Sequence, residues 1–221
     1  MIHWLTLAMS IGLGALCGAL HRGGAPTCRT AIRLGLAALA IAVAVGHHAY
    51  WLGGGRFDWS KSLPLHYCDL ATILAPVSLL IPRARLLRAV VIGWGLGLTP
   101  LAFVVPVVAE DAEPLRTFFY LASHGIVVSV AAYHLLAQRL RFTRADLWRA
   151  LGFTWAYGLG TVLLNWETGF GYGYTGPAAD PAWLSRLGPW PVRLVPIALI
   201  AGGLLVGLYL GIAAAHKFAK R

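Results

Sequence analysis

The chain has 221 residues, 58% of them hydrophobic and only 12% charged, with a mean hydropathy of +0.70. A soluble domain carries roughly 25% charged residues, so this composition excludes an ordinary soluble domain and points to an all-α, polytopic membrane protein. The net charge of +10 does not mark a nucleic-acid binder: no basic face with interleaved aromatics lies outside the apolar blocks, and cytoplasmic loops rich in Lys and Arg account for it.

A hydrocarbon core about 30 Å thick needs about 20 helical residues. The apolar blocks predict a bundle of seven transmembrane helices, at 2–20, 32–52, 64–81, 87–108, 117–137, 147–166 and 191–214, in one domain over 1–221. The first lacks a basic leading region and a following A-x-A site, so it reads as a retained span rather than a signal peptide. HRGGAPTCRT separates it from the second, which ends on His47 and His48 just ahead of Tyr50 and Trp51. After the Gly-rich LGGGRFDWSK, the third opens with SLPLHYCDLATILAP (62–76), which holds His66, Cys68 and Asp69. Pro64 suits a first helical turn with Ser62 as its cap. On a regular helix from there, His66 and Asp69 share a face and Cys68 points away from His66. IPRAR leads into the fourth helix, which carries Thr99 and Pro100. The fifth carries ASHG, with His124 about two turns in, and the sixth ends near Asn165. The Gly- and aromatic-rich NWETGFGYGYTGP (165–177) then opens the longest connection, 167–190, and reads either as a lid over a cavity or as an interfacial aromatic loop. No solenoid repeat and no matching broken helices of a transporter with inverted repeats are present.

The charges supply a direction. Arg22, Arg29, Arg33, Arg83, Arg85, Arg88, Arg139, Arg141, Arg144, Arg149, Lys217, Lys220 and Arg221 fall on one set of connections, 13 of the 18 basic residues. The opposite set holds Arg56, Lys61, Arg116, Arg186 and Arg193, with the acids Asp58, Glu110, Asp111, Glu113, Glu167 and Asp180. The positive-inside rule then predicts the N-terminus outside and the C-terminus inside, which an odd number of spans requires. Cys28 and Cys68 fall on opposite sides of the membrane and cannot bridge within one chain. No C-x-x-C metal or redox pair exists.

On this map His47, His48, His66, Cys68, Asp69, His124, Thr99 and Asn165 meet in the outer half of the bundle, while the inner halves hold almost nothing ionisable. Ionisable side chains within a span are costly and point to function. Plain structural roles stand beside that reading. His47 or His48 can belong to an interfacial aromatic belt, His66 can bond backbone near a helix start, and a lone Cys is usually an inert, buried residue. Asp69 is harder to assign so, because a carboxylate in a span needs a partner. Cys17 and Cys28 carry no functional reading.

LPLHYCDLATILAP, the WGLG of 94–97, ASHG at 122–125, the NW of 165–166 and LGPWP at 187–191 together resemble the YwaF-type bacterial integral membrane proteins, whose superfamily includes the animal transmembrane protein 164. The match runs from about the second span to the seventh. The resemblance implies a multi-span fold in which the HxC pair and the SHG histidine face each other. It also implies a lipid acyltransferase, with Cys68 corresponding to the nucleophile and His124 to the histidine.

The leading expectation is therefore a multi-pass cell-membrane enzyme that moves a fatty acyl chain from a phospholipid to a lysophospholipid, or hydrolyses it. Cys68 attacks as thiolate, His124 is base then acid, His66 helps the oxyanion and Asp69 orients a histidine. His47, His48, Asn165 and Thr99 are the candidate substrate-binding residues, with no cofactor and no metal. Two rivals stay open: a metal-dependent hydrolase whose zinc is held by His47, His48, His66, His124 and Asp69, and a transporter or assembly protein that uses the same residues as an outer vestibule. Oligomeric state is not legible.

Overall fold

A computed structural model describes residues 2–107, 112–137, 142–177 and 181–218. Of the charges counted above, Glu110, Asp111, Arg139, Arg141, Asp180, Lys220 and Arg221 lie outside these. The described residues are helical with no strand, in the order α1 (Ile2–Gly23), α2 (Pro26–Leu52), α3 (Tyr67–Leu80), α4 (Arg85–Gly93), a π turn (Trp94–Leu98), α5 (Leu101–Val104), α6 (Pro114–Ala137), α7 (Arg144–Thr168), two 3₁₀ turns (Tyr172–Tyr174 and Ala182–Leu187) and α8 (Leu194–Phe218).

Among the described residues five helical runs are long and apolar enough to cross a membrane: α1, α2, the continuous Arg85–Val104 run, α6 and Leu194–Lys217. The other two expected spans differ. The third is only 14 residues, about 21 Å at 1.5 Å per residue, shorter than a hydrocarbon core. The sixth, α7, is 25 residues long but diluted by Thr154, Tyr157, Thr161 and Asn165.

The start of α3 moves from the expected residue 64 to Tyr67. Ser62 does not cap a helix; its hydroxyl accepts the Asp58 backbone N–H at 2.9 Å. Leu63 and Leu65 spend their backbone groups across the bundle instead. Leu63 N–H donates to the Tyr172 hydroxyl at 3.2 Å, and the Tyr157 hydroxyl donates to the Leu65 carbonyl at 2.9 Å. His66 is thus an extended residue ahead of the helix (φ −76°, ψ 153°), so the shared helical face expected for His66 and Asp69 does not form.

α6 is the central helix. α1 lies along it through the small residues Ser10, Gly14 and Gly18, the buried positions of α1, the small-xxx-small spacing that lets helices approach closely in a bilayer. The Ser129 hydroxyl reaches the Ser10 carbonyl at 2.9 Å. A β-carbon on Gly14 would run into the Ser129 carbonyl and Ala132, and one on Gly18 would sit 3.0 Å from the Leu136 side chain. Gly14→Val is therefore expected to destabilise the fold by about 1–3 kcal/mol, as overpacking does; thermal unfolding in detergent reads this, and an unchanged midpoint would contradict the close approach.

The WGLG stretch is the other irregularity. Pro100 has no N–H to continue an α ladder, and the chain before it widens so that the Thr99 N–H donates to the Trp94 carbonyl at 2.7 Å. Gly95 faces the Val127 carbonyl and Ala131 with no room for a β-carbon. Such π turns occur often at functional sites, and this one carries two residues of the cavity described next.

α7 begins at a reciprocal capping box. The Asp146 N–H donates to the Thr143 hydroxyl, and the Thr143 N–H donates to the Asp146 carboxylate at 3.0 Å, which satisfies two first-turn donors. It ends at Gly169, whose positive φ of 73° closes the helix on the Asn165 carbonyl. A packed cluster of Ala89, Ile92, Phe142, Leu147, Ala150, Leu151 and Leu205 joins α4, α7 and α8 at the end away from His124.

Candidate functional site

Cys68 is the second residue of α3. Backbone N–H groups in a first helical turn have no partner inside the helix, and the positive end of the helix favours a thiolate. Late formation of α3 therefore puts Cys68 closer to that end than a start at residue 64 would have done. The thiol faces the carboxylate of Asp69, with Sγ 3.9 Å from Oδ1.

His124 comes from the middle of α6. Its Nδ1 lies 2.6 Å from the Tyr120 carbonyl, an oxygen that can only accept. Nδ1 therefore carries the proton, and Nε2 presents its lone pair, the tautomer a general base needs. Tyr120 is itself held by a hydrogen bond from its hydroxyl to the Ala102 carbonyl at 2.8 Å, and Phe103 packs edge-on to the imidazole. The sequence signal for this residue is ASHG; Gly125 lets α1 approach, since a β-carbon there would sit 2.7 Å from the Ser10 hydroxyl.

Cys68 and His124 line one cavity of about 430 Å³, together with Thr99, Trp94, Tyr67 and Tyr120. Its walls come from α5 and the residue that follows it (Leu101, Val105), α7 (Trp155, Leu159) and α8 (Leu194 to Leu204), and are overwhelmingly apolar. Leu101, Val105, Leu159 and Ile200 are also exposed, so the cavity opens sideways between helices. At its other end the lining stops at Trp94, Thr154 and Leu204. The next turn of each helix belongs to the packed Ile92, Leu151 and Leu205 cluster. The Trp94 indole N–H closes this floor on the Thr154 hydroxyl at 2.7 Å.

The remaining expected site residues fall elsewhere. Asp69 pairs with His47, Nε2 to Oδ1 at 3.1 Å, behind Cys68 and away from the cavity lining. His48 stacks edge-on to His47 and does not line the cavity either. His66 faces the loop after α7: its Nδ1 accepts the Gly173 N–H at 3.3 Å, and its ring lies against Tyr172 and Tyr174. Asn165 is fully buried and organises that loop, donating to the Tyr172 carbonyl (2.7 Å) and the Thr175 hydroxyl (2.9 Å) and accepting the Tyr172 N–H (3.1 Å). Among the described residues no group of three His, Cys, Asp or Glu side chains converges as a metal ligand set, so the five residues of the zinc alternative do not form one together.

The loop does cover the cavity, for Gly173, Tyr174, Thr175, Trp183 and Leu187 line it. Arg193 pins it from just ahead of α8, donating to the Gly176 and Pro177 carbonyls at 2.6 and 2.7 Å. Tyr172 reaches across to the 59–63 segment, its hydroxyl donating to the Trp59 carbonyl, and burial pushes its phenol pKa above the usual value. Asp58 anchors the same segment; Ser60 donates to it from hydroxyl and backbone N–H, which holds its carboxyl below the usual range. Asn165→Ala removes three loop contacts and is expected to cost about 3 kcal/mol, at about 1 kcal/mol per hydrogen bond. Unfolding temperature and proteolysis between residues 170 and 177 check this, and an unchanged cleavage rate would show that the cover does not depend on Asn165.

Sequence reasoning missed one polar pair. His134, completely buried in the far half of α6, bonds the Ser78 hydroxyl of α3 at 2.8 Å. Its spacing from His124, ten residues along one helix, was the available signal that the inner half is not free of ionisable groups.

Comparison with curated proteins and with solved structures finds no match. The sequence profile of the TMEM164 family matches residues 1–209, a range that takes in every element of the cavity. The protein is a member of the TMEM164 family.

Proposed function

We propose that this protein is a multi-pass cell-membrane lipid acyltransferase, crossing the bilayer seven times with its N-terminus outside and using Cys68 as nucleophile and His124 as general base. The observation that carries the reading is a thiol and an imidazole on different helices lining one apolar cavity with a sideways opening. A lipid chain is the ligand such a wall accommodates, and an opening between helices admits it from the leaflet. The resemblance to the animal lipid acyltransferase supplies the reaction type. The basic connections opposite the cavity mouth supply the orientation.

In the first half-reaction His124 Nε2 takes the Cys68 proton. The thiolate attacks the ester carbonyl of a phospholipid, a C–S bond forms, and the C–O bond breaks as the imidazolium returns its proton to the departing lysophospholipid hydroxyl. In the second, His124 deprotonates the hydroxyl of a lysophospholipid acceptor. That oxygen attacks the thioester and the thiol is regenerated. First-turn N–H groups of α3 are the donors for the oxyanion, a role given to them rather than to His66, whose ring faces the loop and does not line the cavity. The loop over the cavity limits water, which favours transfer over hydrolysis.

The test is a nanodisc assay with a phospholipid labelled in one acyl chain, with and without lysophospholipid acceptor. Transfer should require the acceptor, and intact-mass analysis should find one hydroxylamine-labile acyl group on Cys68. Labelled free fatty acid at the same rate without acceptor would make the protein a hydrolase. Full turnover in both Cys68→Ser and Cys68→Ala would overturn the mechanism.

A further inference from the structure

From the shared contacts of one carboxylate oxygen, we infer that His47 is a positioning residue that acts on Cys68 through Asp69. The inference rests on Cys68 being the nucleophile proposed above. Asp69 Oδ1 stands between two donors: the His47 ring nitrogen Nε2 at 3.1 Å and the Cys68 sulfur at 3.9 Å. His47 is 7% exposed, and its position on α2 faces α3 rather than the cavity.

An isolated carboxylate beside a thiol works against ionisation twice. Its charge repels the thiolate, and it accepts the S–H of the neutral form, which favours that form. Asp69 alone would therefore hold Cys68 protonated. The His47 donor changes this. It shares the same oxygen, draws its charge into a hydrogen bond to the ring, and makes it a weaker acceptor for the S–H, whose sulfur stands 3.9 Å away. The proton then leaves on the cavity side, from Sγ to Nε2 of His124, and the sulfur faces the substrate. The arrangement follows the logic of a third residue orienting a catalytic pair, with the order inverted: here an imidazole restrains a carboxylate so that a neighbouring nucleophile can ionise.

Other titratable groups around this carboxylate and thiol are His48 on α2, His66 just ahead of α3, Tyr120 and His124 on α6 and Tyr157 on α7. All five are kept constant in the test. Among the described residues neither His47 Nδ1 nor His48 Nε2 has a hydrogen-bond partner, so Asp69 is the polar anchor of His47.

The experiment measures alkylation of Cys68 by iodoacetamide in nanodiscs, in a Cys17→Ala/Cys28→Ala background, from about pH 5 to about pH 9, the range over which perturbed thiols ionise. His47→Leu keeps volume and removes the donor. It should slow labelling at neutral pH about tenfold and move the midpoint up by about one pH unit, the equivalent of tenfold in thiolate. His47→Gln restores a donor and should recover most of the rate. His47→Leu/Asp69→Asn removes the charge as well and should return labelling to within about threefold of the parent, because the repulsion is gone. A merely structural His47 would leave the double variant as slow as the single, or slower, and that result would overturn the inference. So would His47→Leu labelling at the parent rate with an unmoved midpoint. The readout needs no acyl transfer: His47-dependent labelling without transfer would defeat the acyltransferase reading alone.

Discussion

Cys68→Ala should lower acyl transfer by at least about a thousandfold, the scale on which removal of a nucleophile acts. That is about 4 kcal/mol of transition-state stabilisation. Loss of one sulfur atom from a cavity wall costs about 1 kcal/mol of stability, as for one methyl-sized group, so a folding defect cannot produce the same loss. Cys68→Ser separates the cases further. It keeps the volume and the position at the start of α3, but its hydroxyl lacks the thiol's ready ionisation, and it should be nearly as inactive as alanine. Cys17 and Cys28 are free thiols away from the cavity lining, and their alanine variants should retain full turnover. Radiolabelled transfer in nanodiscs, with unfolding temperature measured alongside, checks all four. Equal activity in Cys68→Ala and the parent would remove Cys68 from the reaction.

His124→Ala should reduce turnover by about 10²–10⁴-fold, the contribution of a positioned general base. Its Nδ1 is committed to the Tyr120 carbonyl, so the loss belongs to Nε2, the nitrogen that carries the lone pair. Added imidazole should restore part of the rate in His124→Ala. The cavity of about 430 Å³ lies in the range that holds drug-sized ligands, so a free imidazole ring fits beside the substrate ester. No rescue should occur in Cys68→Ala. Rescue of neither variant, together with parent-like iodoacetamide labelling in His124→Ala, would show that the thiol loses its proton to another group.

Much of the plan was legible in the chain. Long apolar blocks place helices because a bilayer leaves the backbone no partner but itself, and the observed α1, α2, α6 and α8 overlap the expected spans closely. The three residues of HxCD stood out because ionisable groups in such blocks are costly. The helix-based geometry drawn from them failed at one place. Whether residues 63–66 join α3 depends on partners about a hundred positions away, Tyr172 and Tyr157, and no local propensity encodes those. His66 consequently serves the loop. Asn165 has the same history: its depth suggested a substrate contact, while its three hydrogen bonds all go to the loop at 172–175.

By itself the sequence determined that this is an all-helical membrane protein with several apolar helices, and it marked Cys68 and His124 as candidates at similar depth while overlooking the His134–Ser78 pair. Hydropathy, charge asymmetry and periodicity are properties of segments, and they carry that information locally. Only the tertiary structure decided which side of α3 each polar group serves: Cys68 toward the cavity with His124, Asp69 toward His47 on α2, and His66 toward the loop after α7. The physical reason is that a helix rotation and a helix start are set by packing against neighbours, and a shift of three residues in that start takes residues 64–66 out of the helical register, so His66 no longer shares a face with Asp69.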